Sequence, residues 1–303
     1  ESPLMLREYQ ADMLNRALAA HLEREAGAWD AGPGRARAAC FHDLCREAAA
    51  QLGVPFEEPG DPAARPVFYN QEAPSVLTLG LERGCIPTWD AVVVDEGQDF
   101  DASWWPLVES LLQDRGAGRL YVFYDPPQAI FGRRPAVPEE YPVLRLRRNL
   151  RNARRIAECL ASLAEGELRP DGRCPEGAPV QVHEAGPAGE RAARVEAVVR
   201  DLLKKEGLRP DQIALLTPHR FEHSSLAGRE ELAGAPLGRD PRDREGRLLH
   251  ATISGFKGLE SDCVILLDLD PADPRCDRNA RYVGASRARH LLHVFCEGDW
   301  LAP

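Results

Sequence analysis

The sequence predicts an α/β protein with parallel sheets, divided into two domains. Its 303 residues suffice for two domains of ordinary size. Segments typical of strands alternate with segments typical of helices along the chain, as in α/β folds. Pro135, Pro138 and Pro142 mark a stretch that is typical of a linker. We therefore place the domains at residues 1–140 and 141–303.

The first half begins with an expected amphipathic helix at residues 9–25, where apolar side chains recur at three- and four-residue spacings. Residues 53–66 are rich in Pro, Gly and Glu, which is typical of an exposed connection. The other elements predicted in this half are helices at 40–52, 72–83 and 103–113 and strands at 91–94 and 120–124.

The second half continues the alternation, with a charged, flexible loop expected at residues 234–246. Its predicted elements are strands at 143–146, 180–183, 213–217, 248–253, 264–269 and 291–295, and helices at 150–163, 190–205 and 279–289.

The strand predicted at residues 91–94 ends in two acidic residues. It shows no polar alternation, which is typical of a strand buried on both faces in a parallel sheet. Asp95 and Glu96 follow at the strand end, where ligands bind in such sheets. Because adjacent carboxylates repel each other, a hydrated Mg²⁺ would stabilise the pair, and the second acid could polarise a water. The alternative is a plain acidic turn.

The composition is that of a soluble globular chain with a net charge of -10 and a pI near 5.4. This charge argues against binding a polyanion over the whole surface but allows a local basic channel. No apolar run approaches the ~20 residues that span a bilayer, and the first residues lack a signal-peptide pattern. The eight cysteines lack zinc-ligand spacing. We therefore expect free thiols and a cytoplasmic location.

Five stretches of the chain, in this order, resemble motifs II to VI of the superfamily 1 helicases of the UvrD/Rep type. The segment Cys40-Phe41-His42-Asp43-Leu44 is similar to the "TFH-x-L" segment that precedes motif II in that family. The resemblance covers the chain from about residue 15 and implies two RecA-like domains of the P-loop NTPase type. The five stretches are residues 92–100, 125–131, 146–152, 252–260 and 282–291.

The resemblance implies ATP and Mg²⁺ as cofactors. In the family's pattern, Asp95 would hold Mg²⁺ and Glu96 would activate the attacking water. Gln128 would sense the γ-phosphate and help to place that water, since an amide can donate and accept at once. Glu260 would bind the nucleotide sugar.

The resemblance also implies two arginine fingers, Arg151 and Arg287, which would reach the γ-phosphate. By itself, Arg151 lies in an Arg-rich run that is typical of a solvated helix face. Arg281 and Arg289 compete with Arg287, and only its place in the motif singles it out. Arg289 lies two residues after Arg287, which is about 200° around a helix, so we expect its side chain to point elsewhere.

Single-stranded DNA is the partner that the resemblance implies. Thr252 and Ser254 would contact the backbone, as neutral hydroxyls that position without reading sequence. Phe41, His42 and Phe131 would touch or stack on bases. The alternatives are that His42 is a satisfied histidine at a helix start and that Phe131 belongs to the core.

One departure from the family concerns the phosphate-binding loop. The 303 residues contain no GxxxxGK[ST] sequence, so the first domain is expected to be incomplete and to lack its central strand. The chain would then be a fragment, an internally deleted form or a naturally degenerate member. A protein partner could complete the first domain.

The expected function is the motor core of an ATP-dependent UvrD-like DNA helicase or translocase, moving 3′ to 5′ and inactive alone. The alternative is a non-catalytic helicase-fold module that binds single-stranded nucleic acid or a protein partner. Nothing in the sequence separates DNA from RNA.

Overall fold

The computed structural model describes residues 3–7, 37–128, 136–164, 168–241 and 243–302. The chain divides into two compact units, Glu1–Val143 and Leu144–Pro303. The helix predicted at residues 9–25 lies outside the described residues. Among the described residues, no helix is long and apolar enough to cross a bilayer.

The first unit contains a four-stranded parallel sheet. We expected its central strand to be missing together with the phosphate-binding loop. The described sheet corrects this expectation, because the strand at Pro3–Arg7 pairs on both sides and lies in the interior. The strands are β1 (Pro3–Arg7), β2 (Arg37–Cys40), β3 (Ala91–Asp95) and β4 (Arg119–Val122), in the order β2-β1-β3-β4.

Helices of the first unit connect these strands. The helix predicted at residues 103–113 is shorter than expected, because a 3₁₀ turn at Ala102–Trp104 precedes it. The Asp101 carboxylate caps that turn by accepting from the Ser103 N–H at 3.0 Å. The helices are α1 (Phe41–Leu52), α2 (Arg65–Val67), α3 (Ala73–Glu82) and α4 (Trp105–Ser110), with a π-helical turn at Phe68–Glu72.

The core of the first unit is aromatic. Phe41 stacks on Trp104 with ring centroids 4.5 Å apart, and Phe100 meets both rings edge-on. Such aromatic pairs add to the stabilisation from buried apolar area. Val92 and Val94 of β3 are fully buried in the same cluster, whereas Val93 on the other face of β3 is partly exposed.

The second unit contains a seven-stranded sheet and a separate two-stranded one, β5 (Arg148–Asn149) with β6 (Arg169–Pro170). The strands of the large sheet are β7 (Gln181–Glu184), β8 (Ile213–Thr217), β9 (Glu231–Leu232), β10 (Ala235–Gly238), β11 (Leu248–Thr252), β12 (Ser261–Leu269) and β13 (Ala288–Cys296). They follow the order β7-β13-β12-β8-β11-β10-β9, and every pair is parallel except β9 with β10. The predicted fold class, α/β with parallel sheets, is confirmed.

In the described part of this unit, three helices accompany the sheet: α5 (Arg154–Leu163), α6 (Ala188–Lys204) and α7 (Arg278–Ser286). The predicted strand at residues 213–217 is confirmed as β8. The loop predicted at 234–246 is wrong in part, because it contains β10, whose pairing with β11 is a tertiary contact. The strand predicted at 143–146 is also wrong. That segment has no regular structure, and Leu144 is 87% exposed.

Candidate functional site

The carboxyl end of β3 carries the predicted acidic pair. Glu96 adopts the left-handed backbone conformation, with φ of 56°, which costs of order 1–3 kcal/mol in a residue other than glycine. The chain then enters a 3₁₀ turn, Gly97–Asp99. The Gly97 N–H donates to the Phe123 carbonyl at 2.9 Å, and a Cβ on Gly97 would lie 2.6 Å from Val122 Cγ1. Only glycine allows this close approach of the chain that follows β3 to the end of β4.

Gln98 links the ends of these two strands, and the sequence interpretation gave it no role. Its side chain is 1% exposed. The amide Nε2 donates to Glu96 Oε2 at 2.5 Å, and Oε1 accepts from the Asp125 N–H at 3.0 Å. The amide therefore orients the Glu96 carboxylate and fixes the start of the next turn. A polar residue inside a turn between two buried segments is the signal that could have found it.

Gln128 lies in the 3₁₀ turn Pro126–Gln128 that follows β4. Its Nε2 donates to Asp125 Oδ2 at 2.7 Å. Asp95 Oδ1 accepts from the Glu96 N–H at 3.0 Å. The first unit thus brings Asp95, Glu96 and Gln128 to the ends of two adjacent parallel strands, which is where ligands bind in such sheets. Their individual roles stay predictions.

The acidic end of β3 suits one of two kinds of magnesium site. Among the described residues, no group of three or more His, Cys, Asp or Glu side chains could enclose a metal ion. Mg²⁺ keeps several waters and is commonly held by one or two carboxylates plus phosphate oxygens. Asp95 therefore fits a hydrated Mg²⁺ that shares its ligands with a bound nucleotide, and does not fit an all-protein metal site.

Phe41 and His42 lie in the core of the first unit, at 0% and 1% exposed. The His42 ring lies 5.0 Å from that of Trp104, and its Nε2 is 3.0 Å from the Tyr69 carbonyl oxygen. Packing accounts for both side chains. Their predicted contact with bases stays a prediction that would require them to leave this core. Phe131 lies outside the described residues.

Thr252 is the last residue of β11 in the second unit, and Ser254 begins the 3₁₀ turn that follows. The Thr252 Oγ1 accepts from the Gly255 N–H at 3.0 Å and lies 3.3 Å from the Ser254 hydroxyl. Ser254 is exposed and Thr252 is partly exposed. Two hydroxyls at a strand end suit contact with a ligand oxygen.

Arg151 and Glu260 are brought together in the second unit. Arg151 Nε lies 3.6 Å from Glu260 Oε2. Arg289 Nε lies 3.6 Å from Oε1 of the same carboxylate. We expected Arg289 to point elsewhere on the basis of helical geometry. Arg289 does point elsewhere, because it is exposed whereas Arg287 is buried. The helical reason for this expectation is wrong, because α7 ends at Ser286 and Arg289 belongs to β13.

Arg287 lies in the interior of the second unit, with 1% of its surface exposed. Its Nε donates to the Val283 carbonyl and to Ser286 Oγ, both at 3.1 Å, and Nη1 donates to the Leu259 carbonyl at 3.5 Å. These bonds tie the end of α7 to the turn before β12, which is a structural role. Its action as an arginine finger stays a prediction that requires a different side-chain position.

His250 is a second residue that the sequence interpretation passed over. It is 3% exposed on β11, and neither ring nitrogen has a hydrogen-bond partner among the described residues. Burial lowers the pKa of His250 to about 4, with Asp268 acting to raise the pKa and Arg239 acting to lower it. In the sequence, the signal that could have pointed to His250 was a histidine within an apolar run.

The family comparison concerns the end of the chain. Residues 249–295, which run from β11 into β13, match a family described as the UvrD-like helicase C-terminal domain. Helicases are therefore the class of protein that this part resembles, and the UvrD-like family is the particular match. The range contains Thr252, Ser254, Glu260 and Arg287. The resemblance to UvrD/Rep-type superfamily 1 helicases is confirmed over these residues.

Solved structures give a broader and weaker similarity. The complex of arterivirus nonstructural protein 10 (helicase) with DNA is 12% identical with a TM-score of 0.44. The alignment covers 99% of this chain and 56% of that one. The PRRSV helicase is 14% identical with a TM-score of 0.45. The alignment covers 98% of this chain and 47% of that one. The chain thus spans about half the length of these proteins. No curated protein sequence matches it.

Proposed function

We propose that the chain is part of an ATP-dependent, UvrD-like nucleic-acid motor that moves 3′ to 5′ along single-stranded DNA. The observation that carries this proposal is the family match over residues 249–295. It is supported by the acidic end of β3 in the first unit, where Asp95 and Glu96 come directly after the buried Val94.

In the first unit, we assign nucleotide chemistry to the groups at the ends of β3 and β4. Asp95 would hold Mg²⁺, which when bound neutralises charge on the phosphates. Glu96, oriented by Gln98, would accept a proton from the attacking water. Gln128 would position that water through its amide.

In the second unit, Arg151 and Arg287 keep the phosphate-contacting role that the resemblance implies, and Glu260 keeps the sugar-binding role. Thr252 and Ser254 would donate to phosphate oxygens of the strand, because hydroxyls position a backbone without reading its sequence. DNA is the proposed substrate, and RNA is the alternative that the binding test includes.

Binding of a dye-labelled oligo-dT, followed by fluorescence anisotropy at low and moderate salt, tests the proposal. We expect weak binding that falls steeply with salt, because backbone contacts release counterions. Ser254→Ala should weaken binding about twofold to threefold, whereas Ser162→Ala, an exposed serine on α5, should not. Salt-independent affinity, or a clear preference for duplex over oligo-dT or oligo-U, would contradict the proposal.

The absence of a GxxxxGK[ST] sequence favours a second candidate, a non-catalytic module that binds single strands. Steady-state phosphate release, with and without oligo-dT, compares the two. We expect no DNA-stimulated turnover from this chain alone, and restored turnover once a partner polypeptide supplies the phosphate-binding loop. Turnover by the chain alone that Glu96→Gln abolishes would show that another group replaces the loop.

A further inference from the structure

Two exposed arginines of the second unit share one carboxylate. Glu260 lies between them, with one oxygen 3.6 Å from Arg151 Nε and the other 3.6 Å from Arg289 Nε. Arg289 Nη1 is also 3.6 Å from Asp262 Oδ1, and the His290 ring nitrogen is 3.8 Å from that oxygen. The cluster therefore places two guanidinium groups on either side of the Glu260 carboxylate, and Asp262 is a second anion beside Arg289.

These distances are too long for hydrogen bonds. Neither guanidinium group donates a hydrogen bond to any residue that the structure describes. Each has five N–H donors, and the Arg151 and Arg289 side chains are 52% and 47% exposed. Both arginines therefore keep donors available for a ligand with several acceptor oxygens.

Other arginines of the same unit behave differently. Arg275 donates to Asp273 at 2.8 Å and 3.0 Å, and Arg209 donates to Asp211 at 3.0 Å and 3.1 Å. Each forms a forked pair with its own carboxylate, which engages two of its donors in hydrogen bonds. Arg151 and Arg289 lack such a pair.

The backbone holds the two arginines in place. Asn152, which is 2% exposed, donates from Nδ2 to the carbonyls of Ser286 and Ala288 at 3.1 Å and 2.5 Å. The Ala153 N–H donates to the Arg289 carbonyl at 2.8 Å. The segment that carries Arg151 is thus tied to the start of β13, which carries Arg289. The backbone therefore keeps the two side chains near each other, although each side chain can change its rotamer.

We propose that Arg289 joins Arg151 in binding the phosphoryl group that Arg151 is already assigned to contact, and that the Glu260 carboxylate occupies the site between them until the phosphoryl group displaces it. Guanidinium groups suit this ligand, because their planar forks match phosphate oxygens. The inference rests on the proposed function for the source of the phosphoryl group, a nucleotide or a nucleic-acid backbone. Once displaced, Glu260 is released for the sugar contact that the resemblance implies.

The experiment titrates the full chain with inorganic tripolyphosphate in a calorimeter and, in a second arm, with labelled oligo-dT by anisotropy. Arg151→Ala and Arg289→Ala should each weaken binding about tenfold. The loss should appear with tripolyphosphate if the site binds a nucleotide, and with oligo-dT if it binds a nucleic-acid backbone. Glu260→Gln should strengthen binding severalfold, because the competing carboxylate is gone. A loss confined to tripolyphosphate assigns the site to a nucleotide, and a loss confined to oligo-dT assigns it to a backbone.

The matched controls are Arg247→Ala and Asp243→Asn. This pair has a similar ion pair at 3.5 Å and an arginine 44% exposed, and among the described residues no second arginine forms an ion pair with Asp243. Both controls should change affinity less than twofold. Equal losses in Arg247→Ala and Arg289→Ala, weaker binding in Glu260→Gln, or no effect of either cluster arginine would overturn the inference. Salt-sensitive binding of oligo-dT by the wild type would in those cases leave the proposed function standing.

Discussion

Two polar clusters at the ends of the two sheets are held together in different ways. In the first unit, hydrogen bonds of 2.5–3.0 Å join Glu96, Gln98, Asp125 and Gln128. In the second unit, ion pairs of 3.6 Å hold Arg151 and Arg289 around Glu260. The first cluster has fixed orientations before any ligand binds, whereas the second can rearrange around one.

The difference has an energetic consequence. A hydrogen bond involving a buried group contributes to stability, because its loss leaves an unsatisfied group that costs about 1–3 kcal/mol. An exposed ion pair contributes about 0–1 kcal/mol. Substitutions among the buried bonded groups should therefore reduce stability, and substitutions among the exposed arginines should reduce ligand binding only. Three measurements of unfolding by urea sharpen or contradict this distinction.

The largest effect is expected for Arg287, the buried arginine of the second unit. Arg287→Ala should lower the free energy of unfolding by about 3 kcal/mol, because it removes several hydrogen bonds of a buried side chain and leaves a cavity. Arg289→Ala, at the exposed cluster, should change it by less than about 0.5 kcal/mol. If Arg287→Ala were equally stable, its guanidinium would not be buried, and the arginine-finger role would gain support.

A smaller effect concerns pH and His250. Its pKa of about 4 lies below the ordinary value of about 6.5, so the folded state binds fewer protons than the unfolded state. The stability that this histidine contributes is present above pH 6.5 and is lost as the pH falls toward 4. About 2 kcal/mol should be lost at pH 5.

His250→Phe should remove that part of the pH dependence, whereas replacing the exposed His223 with Phe should not. Urea unfolding at pH 7.5 and pH 5 provides the comparison. Equal pH dependence in His250→Phe and the wild type would mean that another group is responsible.

The smallest of the three effects concerns Gln98 in the bonded cluster of the first unit. Gln98→Met keeps the side-chain shape but removes the bonds to Glu96 and Asp125, and should lower the free energy of unfolding by about 1.5 kcal/mol. Gln113→Met, at an exposed position, should stay within about 0.5 kcal/mol of the wild type. Equal values for the two variants would show that this cluster is as loosely held as the arginines.

Several features were accessible from the sequence because they depend on local patterns. The strand at residues 213–217 was predicted with its observed bounds, since a short apolar run without alternation fits a strand buried in a parallel sheet. The place of Asp95 and Glu96 at the end of a strand followed in the same way. The resemblance to helicase motifs likewise depends on residues close together in the chain.

Only the tertiary structure decided which polar groups meet and which are buried. Gln98 reaches Asp125 because β3 and β4 are adjacent in one register, and β1 joins β2 to β3 across a long stretch of chain. Arg287 and Arg289 differ by two positions, yet the end of α7 places one inside and the other at the surface. Burial depends on contacts between distant segments, and neither residue type nor spacing specifies those contacts.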